Sequence, residues 1–163
     1  MKTKQLIGRA DIVDFPRLGL EGVPAKIDTG AYTSSIHCRD IQLKHIDGKD
    51  VLTFSLLDAS YPQFEAEEYS TEVFREKLVR SSNGQAQERF LIQTNILLFG
   101  KKYAISLTLS ERGEMRFPIL IGRKFLMGKF VVDPSEVDLS YAHKQRTSAL
   151  SPSFDPSDQA TPE

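Results

Sequence analysis

Apolar and polar positions along this chain alternate in short runs broken by Gly, Pro and Asn, the period-two signature of half-buried strands and not the 3.6 period of helices. Residues 6–14, 22–28, 34–43 and 51–57 each read as a strand, the first ending before Phe15-Pro16. Residues 73–98 hold two strand-like runs about Ser81-Ser82-Asn83-Gly84, and Asn-Gly between such runs is the strongest short-range hairpin signal. A further hairpin is predicted from 90–98 and 103–109 around Gly100-Lys101-Lys102. Phe117-Pro118-Ile119-Leu120-Ile121-Gly122 is an apolar run bounded by Pro and Gly, which reads as a buried strand entering a turn. Only residues 123–127 predict a short helical turn, closing before Gly128, with 130–132 as a last strand. Residues 59–72, with Tyr61-Pro62 and the acids Glu65, Glu67 and Glu68, read as a loop. From Gln145 onward Ser, Pro, Asp and Thr replace apolar residues, too few of which remain to order the segment. The expectation is an all-β barrel or sandwich over residues 1–140, followed by a disordered C-terminal tail over 141–163.

Composition agrees with one core: the chain has 163 residues, of which 40% are hydrophobic. Lys plus Arg number 21 against 22 for Asp plus Glu, so no global field points to nucleic acid or an anionic membrane. The basic start, Met1-Lys2-Thr3-Lys4, is not followed by an apolar leader, and no run approaches membrane-spanning length. A cytoplasmic location is expected. Cys38, the single cysteine, excludes an internal disulfide and fits a reducing compartment.

The chemistry-bearing stretch is Ala25-Lys26-Ile27-Asp28-Thr29-Gly30-Ala31, a carboxylate on a strand end followed at once by a turn of small residues. Gly30 permits the tight backbone and Ala31 adds no bulk, so backbone N–H groups can approach the Asp28 carboxylate. Asp-Thr-Gly-Ala resembles the active-site signature of aspartic peptidases. Ile119-Leu120-Ile121-Gly122-Arg123 is similar to the hydrophobic-Gly-Arg strand that crosses beneath the catalytic turn in the retroviral type. Together with Tyr32-Thr33-Ser34-Ser35-Ile36-His37, Arg80-Ser81-Ser82-Asn83-Gly84, Thr108-Leu109-Ser110-Glu111-Arg112 and Met115-Arg116-Phe117-Pro118, the chain resembles small bacterial retropepsin-like proteins labelled ATP-dependent zinc proteases. The likeness covers residues 7–138. It implies a closed β-barrel of the acid-protease fold with one short helix, a flap made by the hairpin of residues 73–98, and partnership with an ATP-grasp glutamate ligase.

Peptide hydrolysis by carboxylates needs two of them, one activating water while the other protonates the carbonyl. The chain holds no second Asp-Ser/Thr-Gly: Asp47-Gly48 lacks the hydroxyl residue and Asp133-Pro134-Ser135 cannot make the same turn. A symmetric homodimer is therefore expected, with Asp28 from each copy meeting at the axis. By resemblance Thr29 bonds to the partner turn, Gly30 binds substrate backbone, and Gly122 lets the crossing strand pack against the turn. Expected substrate contacts are Ala31, the hairpin residues Arg75, Lys77, Arg80, Asn83 and Gly84, and Gly122 and Arg123. Tyr32 departs from the retroviral pattern, which has an Asp there to pair with the arginine, so Arg123 must find another acceptor. The resemblance implies glutamate-tailed proteins as substrates, and the basic residues, including Arg116 and Lys124, suit an acidic chain.

No metal or cofactor is expected. His37, Cys38, His45 and His143 are the imidazole and thiolate candidates, without His-Glu-x-x-His or Cys-x-x-Cys spacing. Without a Gly-x-x-x-x-Gly-Lys-Ser/Thr loop, any nucleotide requirement belongs to a partner. A non-catalytic dimeric binding module and a zinc-dependent protease remain as alternatives to the aspartic peptidase.

Overall fold

A computed structural model describes residues 3–57, 61–62, 67–80, 84–111 and 116–150. The described chain is mostly strand: β1 (Gln5–Ile7), β2 (Ala10–Phe15), β3 (Leu20–Asp28), β4 (Ser34–Ile46), β5 (Lys49–Leu56), β6 (Glu68–Thr71), β7 (Arg75–Arg80), β8 (Ala86–Leu98), β9 (Lys101–Ser110), β10 (Ile119–Gly122) and β11 (Phe130–Val132). Two α-helices accompany them, α1 (Arg123–Leu126) and α2 (Leu139–Leu150). The main sheet is ordered β10, β3, β2, β8, β9, β4, β5, β6, with β7 on β8. Because β10 also pairs with β4, the strands from β10 round to β4 form a closed circuit of pairings. Inward positions alternate along it: Val23, Ala25 and Ile27 of β3, Ile105, Leu107 and Leu109 of β9, and Ile119 and Ile121 of β10 are all buried.

Four sequence expectations need correction. The strand expected over residues 6–14 is two strands, because the chain turns at Gly8, whose Cα lies against the Glu136 carbonyl with no room for a Cβ. β1 then pairs with β11 in a separate parallel ribbon. The segment read as a loop contains β6, in which Tyr69 turns inward, stacks on Phe54 and donates its hydroxyl to the Leu18 carbonyl at 2.8 Å. The β8–β9 turn falls one residue earlier than the Gly-Lys-Lys reading, on Phe99 (φ 52°) and Gly100 (φ 74°). Positive φ at both central residues matches the right-handed strand twist, and Phe99 is held there because its N–H donates to Ser140 Oγ at 2.9 Å.

The fourth correction concerns the tail. Residues expected to be disordered from 141 onward continue α2 as far as Leu150, while 151–163 lie outside the described residues. The helix is held by a strand far away in sequence. Asp11 of β2, 1% exposed, accepts N–H bonds from Ser140 at 2.9 Å and Tyr141 at 3.0 Å, satisfying donors that the first helical turn leaves open. Burial pushes the Asp11 carboxyl above the usual carboxylate range, opposed by the N–H groups of Ser140, Ile12 and Tyr141. Lys144 adds an ammonium 2.9 Å from Asp14 and 3.4 Å from Glu21. Its pKa is raised, chiefly by the hydrogen bond to Asp14.

Two outcomes follow for stability. Asp11→Ala should cost about 1–2 kcal/mol in denaturant unfolding, the scale of a lost helix cap. For Lys144 the native pKa is raised, so its contribution is complete below the ordinary value of 10.5 and lost as pH rises through the native value. Lys144→Gln should accordingly melt about 2 °C lower than wild type at neutral pH, with the gap closing at strongly alkaline pH in a thermal scan.

Candidate active site

β3 carries Asp28 to the edge of its strand, where the carboxylate is half-buried and its Oδ1 accepts the Gly30 N–H at 3.1 Å. The Ala31 N–H donates to the Asp28 carbonyl at 3.1 Å, closing the turn. A Cβ on Gly30 would stand 3.3 Å from Asp28 Oδ1, so a larger residue would crowd the carboxylate. Beneath the turn, β10 runs parallel to β3 with Gly122 beside Asp28, and antiparallel to β4 with Leu120 beside Ser35. This is the crossing strand expected from the hydrophobic-Gly-Arg motif. Gly122 is required by contact, since a Cβ there would sit 2.7 Å from the Thr33 carbonyl group and 2.8 Å from the Tyr32 oxygen. Its N–H donates to the buried Ser34 Oγ at 2.9 Å. The next two N–H groups, of Arg123 and Lys124, donate to the carbonyls of Ala31 at 2.8 Å and Tyr32 at 3.0 Å.

Arg123 finds its partners in the turn itself. The guanidinium donates to the carbonyls of Thr29 at 3.3 Å and Gly30 at 3.2 Å, and lies 5.4 Å from the Tyr32 ring centroid. The aromatic face at position 32 thus takes the place of a carboxylate, through attraction of a cation to a π system. Lys77 of β7 and Lys124 of α1 approach the same ring, at 5.5 and 5.9 Å. Tyr32 was not among the sequence-expected site residues, although its place in the signature marks it as the departure.

The turn forms one wall of a groove of about 690 Å³, and the β7–β8 hairpin forms the other. Asp28, Gly30, Ala31, Lys77, Arg80 and Arg123 line it, all expected from the sequence. Arg89 also lines it and went unforeseen, because only the register of the hairpin places it opposite Lys77. Among the described lining residues Asp28 is the one carboxylate. Several expected contacts fall elsewhere. Arg75 is exposed opposite Leu91 and does not line the groove; Gly84 is exposed and is not among the described lining residues; Gly122 is buried under the turn, where it supports the site without lining it; Thr29, expected to meet a partner copy, is exposed. Asn83 lies outside the described residues.

His37 and Cys38 are buried in β4 and locally bonded. The His37 Nδ1 is 3.3 Å from the Ser110 carbonyl, and the Cys38 thiol donates to the Ile36 carbonyl at 3.7 Å. Burial pushes the Cys38 thiol far above its ordinary range. Among the described residues no three His, Cys, Asp or Glu side chains are grouped to hold a metal ion, and no helix is long and apolar enough to cross a membrane.

An aspartic turn over a glycine-bearing crossing strand, facing a β-hairpin, is a retropepsin-like arrangement. The family model RimB-like, described as retropepsin-like aspartic endopeptidase RimB, matches residues 6–143, and the chain belongs to that family. It is 33% identical over 132 residues to a probable alpha-L-glutamate ligase of Desulfotalea psychrophila, covering 81% of this chain and 28% of the relative. A protein of the same name from Shewanella pealeana is 33% identical over 133 residues, covering 82% of this chain and 29% of the relative. The chain thus spans under a third of the length of these curated relatives. A crystal structure of a Legionella pneumophila protein of unknown function shares the fold, with a TM-score of 0.64 at 23% identity, over 85% of this chain and 99% of that one.

The contact under the turn yields a direct expectation. Gly122→Ala should destabilise the protein by about 1–3 kcal/mol, the usual cost of forcing a methyl into closely packed space, measured by urea unfolding.

Proposed function

We propose that this chain is an aspartic endopeptidase whose active form is a symmetric pair of copies, each contributing Asp28. The single observation that carries the reading is the Asp28 carboxylate, oriented by the Gly30 N–H on one wall of an open groove whose other wall is a hairpin. Two such turns meeting at a two-fold axis bring two carboxylates together, and the pair holds one proton because both cannot ionise at close range. The ionised member takes a proton from water, and the oxygen adds to the scissile carbonyl carbon. The protonated member gives its proton to the carbonyl oxygen, and collapse of the tetrahedral adduct expels the amine with a proton returned from the dyad. In this assembly exposed Thr29 reaches the partner turn, and Gly30 and Ala31 face the substrate backbone. The β7–β8 hairpin serves as the flap, and the closed circuit of strands is the barrel that carries both.

The substrate class we assign is an acidic peptide, with glutamate-tailed proteins as the natural form. Lys77, Arg80 and Arg123 line the groove, where Asp28 is the one carboxylate among the described lining residues, which favours a chain of negative charge. Relatives named as glutamate ligases contain a segment similar to this chain, which supports a working association with an ATP-grasp glutamate ligase.

The test is Asp28→Asn, nearly isosteric but unable to serve as the base. Hydrolysis of a glutamate-rich peptide should fall at least about 10²-fold, the scale of a lost general base, with the thermal midpoint unchanged. Undiminished turnover overturns the aspartic mechanism. Loss of wild-type activity on EDTA treatment that zinc restores assigns a metallohydrolase instead, and a well-formed dimer that binds acidic peptide without cutting it assigns a binding module.

A further inference from the structure

A second cavity, of about 190 Å³, adjoins the groove. Lys77 and Thr33 line both spaces, so they form the partition between them. Three lysines border this small volume, Lys77, Lys124 and Lys129, and no carboxylate is among its described lining residues. Nor does any ion pair among the described residues include them. They are held instead by weaker partners. Lys77 and Lys124 lie over the Tyr32 ring, while Lys129 lies 4.8 Å from the Phe125 ring centroid and donates to the Phe125 carbonyl at 2.8 Å.

Like charges gathered without a counter-ion raise one another's energy, and an apolar wall sharpens the effect by excluding water. Here buried Phe125 is part of that wall, and Ser34 and Ser106 also border the cavity. Rings attract cations through a quadrupole and leave the ammonium N–H groups available to a stronger acceptor. We propose that this cavity is a carboxylate-binding subsite, set beside the Asp28 groove and reached past Lys77, that selects a substrate by an acidic group displaced from the scissile bond. Tyr32 is its positioning residue, because one ring holds both Lys77 from the hairpin and Lys124 from the helix turn. The carboxylate comes either from an acidic side chain or from the substrate's own C-terminus. The proposal deepens the peptidase reading and assigns a specificity site within it.

The test reads binding, so that it does not depend on hydrolysis. Fluorescence anisotropy is followed for a labelled oligoglutamate peptide, its oligoglutamine counterpart, and the oligoglutamate with an amidated C-terminus, each titrated with full-length Asp28→Asn protein with and without lysine substitutions. Lys124 is exposed, so Lys124→Gln leaves the fold intact; Lys129→Gln is added, with its melting midpoint checked. Each should weaken oligoglutamate binding about two- to fivefold, the scale of one solvent-exposed ion pair, and leave oligoglutamine binding unchanged. Lys124→Arg should restore binding. If amidation abolishes the lysine dependence, the carboxylate is the terminal one; if the dependence persists, it is a side chain. Equal losses on both peptides, or no loss in natively folded variants, overturn the subsite. Lysine-dependent binding by a wild-type protein that hydrolyses nothing would remove the peptidase reading and leave the subsite standing. Cleavage of oligoglutamate with unchanged KM in the lysine variants would do the reverse.

Discussion

The close passage of Gly122 beneath the Asp28 turn is the contact on which the site depends. β10 is hydrogen-bonded to β3 on one side and β4 on the other, and its buried Ile119 and Ile121 tie it to the core. With Gly122 in register with Asp28, the three successive N–H groups of Gly122, Arg123 and Lys124 meet Ser34 Oγ and the carbonyls of Ala31 and Tyr32. These are groups that a tight turn would otherwise leave without protein partners. The geometry of the carboxylate is therefore set by main-chain contacts on both faces of the turn, with the core behind them. Such a support suits a group that must hold its position while substrate enters and leaves.

Charge is arranged around that support in a way that separates its roles. Arg123 fastens the turn by donating to Thr29 and Gly30, and its guanidinium still borders the groove. Tyr32 collects the cations that the hairpin and α1 present, linking the hairpin to the turn without a carboxylate that would compete with an acidic ligand. A Coulomb pair in that place would quench the groove's field; a cation–π contact leaves most of it intact. At α2 the opposite choice is made, where Asp11 and Asp14 are committed to Ser140, Tyr141 and Lys144 and serve to anchor the helix.

Local patterning made most of this legible. Residues 130–132 form β11 as read, residues 123–127 contain α1, and the alternation in 22–28 lies within β3. Asp28-Thr29-Gly30 and Gly122-Arg123 mark the turn and its crossing strand within the sequence itself. What escaped depends on contacts distant in sequence. α2 has a polar composition and is held by Asp11, 129 residues away from Ser140, which no window on residues 141–150 contains. Gly8 breaks a strand because of Glu136, and Phe99 accepts a positive φ because of Ser140. Arg89 reaches the groove through hairpin register; Gly122 packs under the turn, the role its motif implied, but does not line the groove. β6 was hidden by the acids around Tyr69, whose inward turn is visible only once Phe54 and Leu18 are beside it.

If the proposed mechanism holds, one Asp-Thr-Gly carboxylate per chain makes catalysis a property of two chains, and mixed assemblies test this most directly. Wild-type and Asp28→Asn chains would be mixed in known ratios at constant total concentration, exchanged to equilibrium, and assayed on an acidic peptide. If each active site needs Asp28 from both copies, activity falls as the square of the wild-type fraction. A fall in direct proportion to the wild-type fraction would show that a single chain's Asp28 suffices, and would contradict the shared dyad.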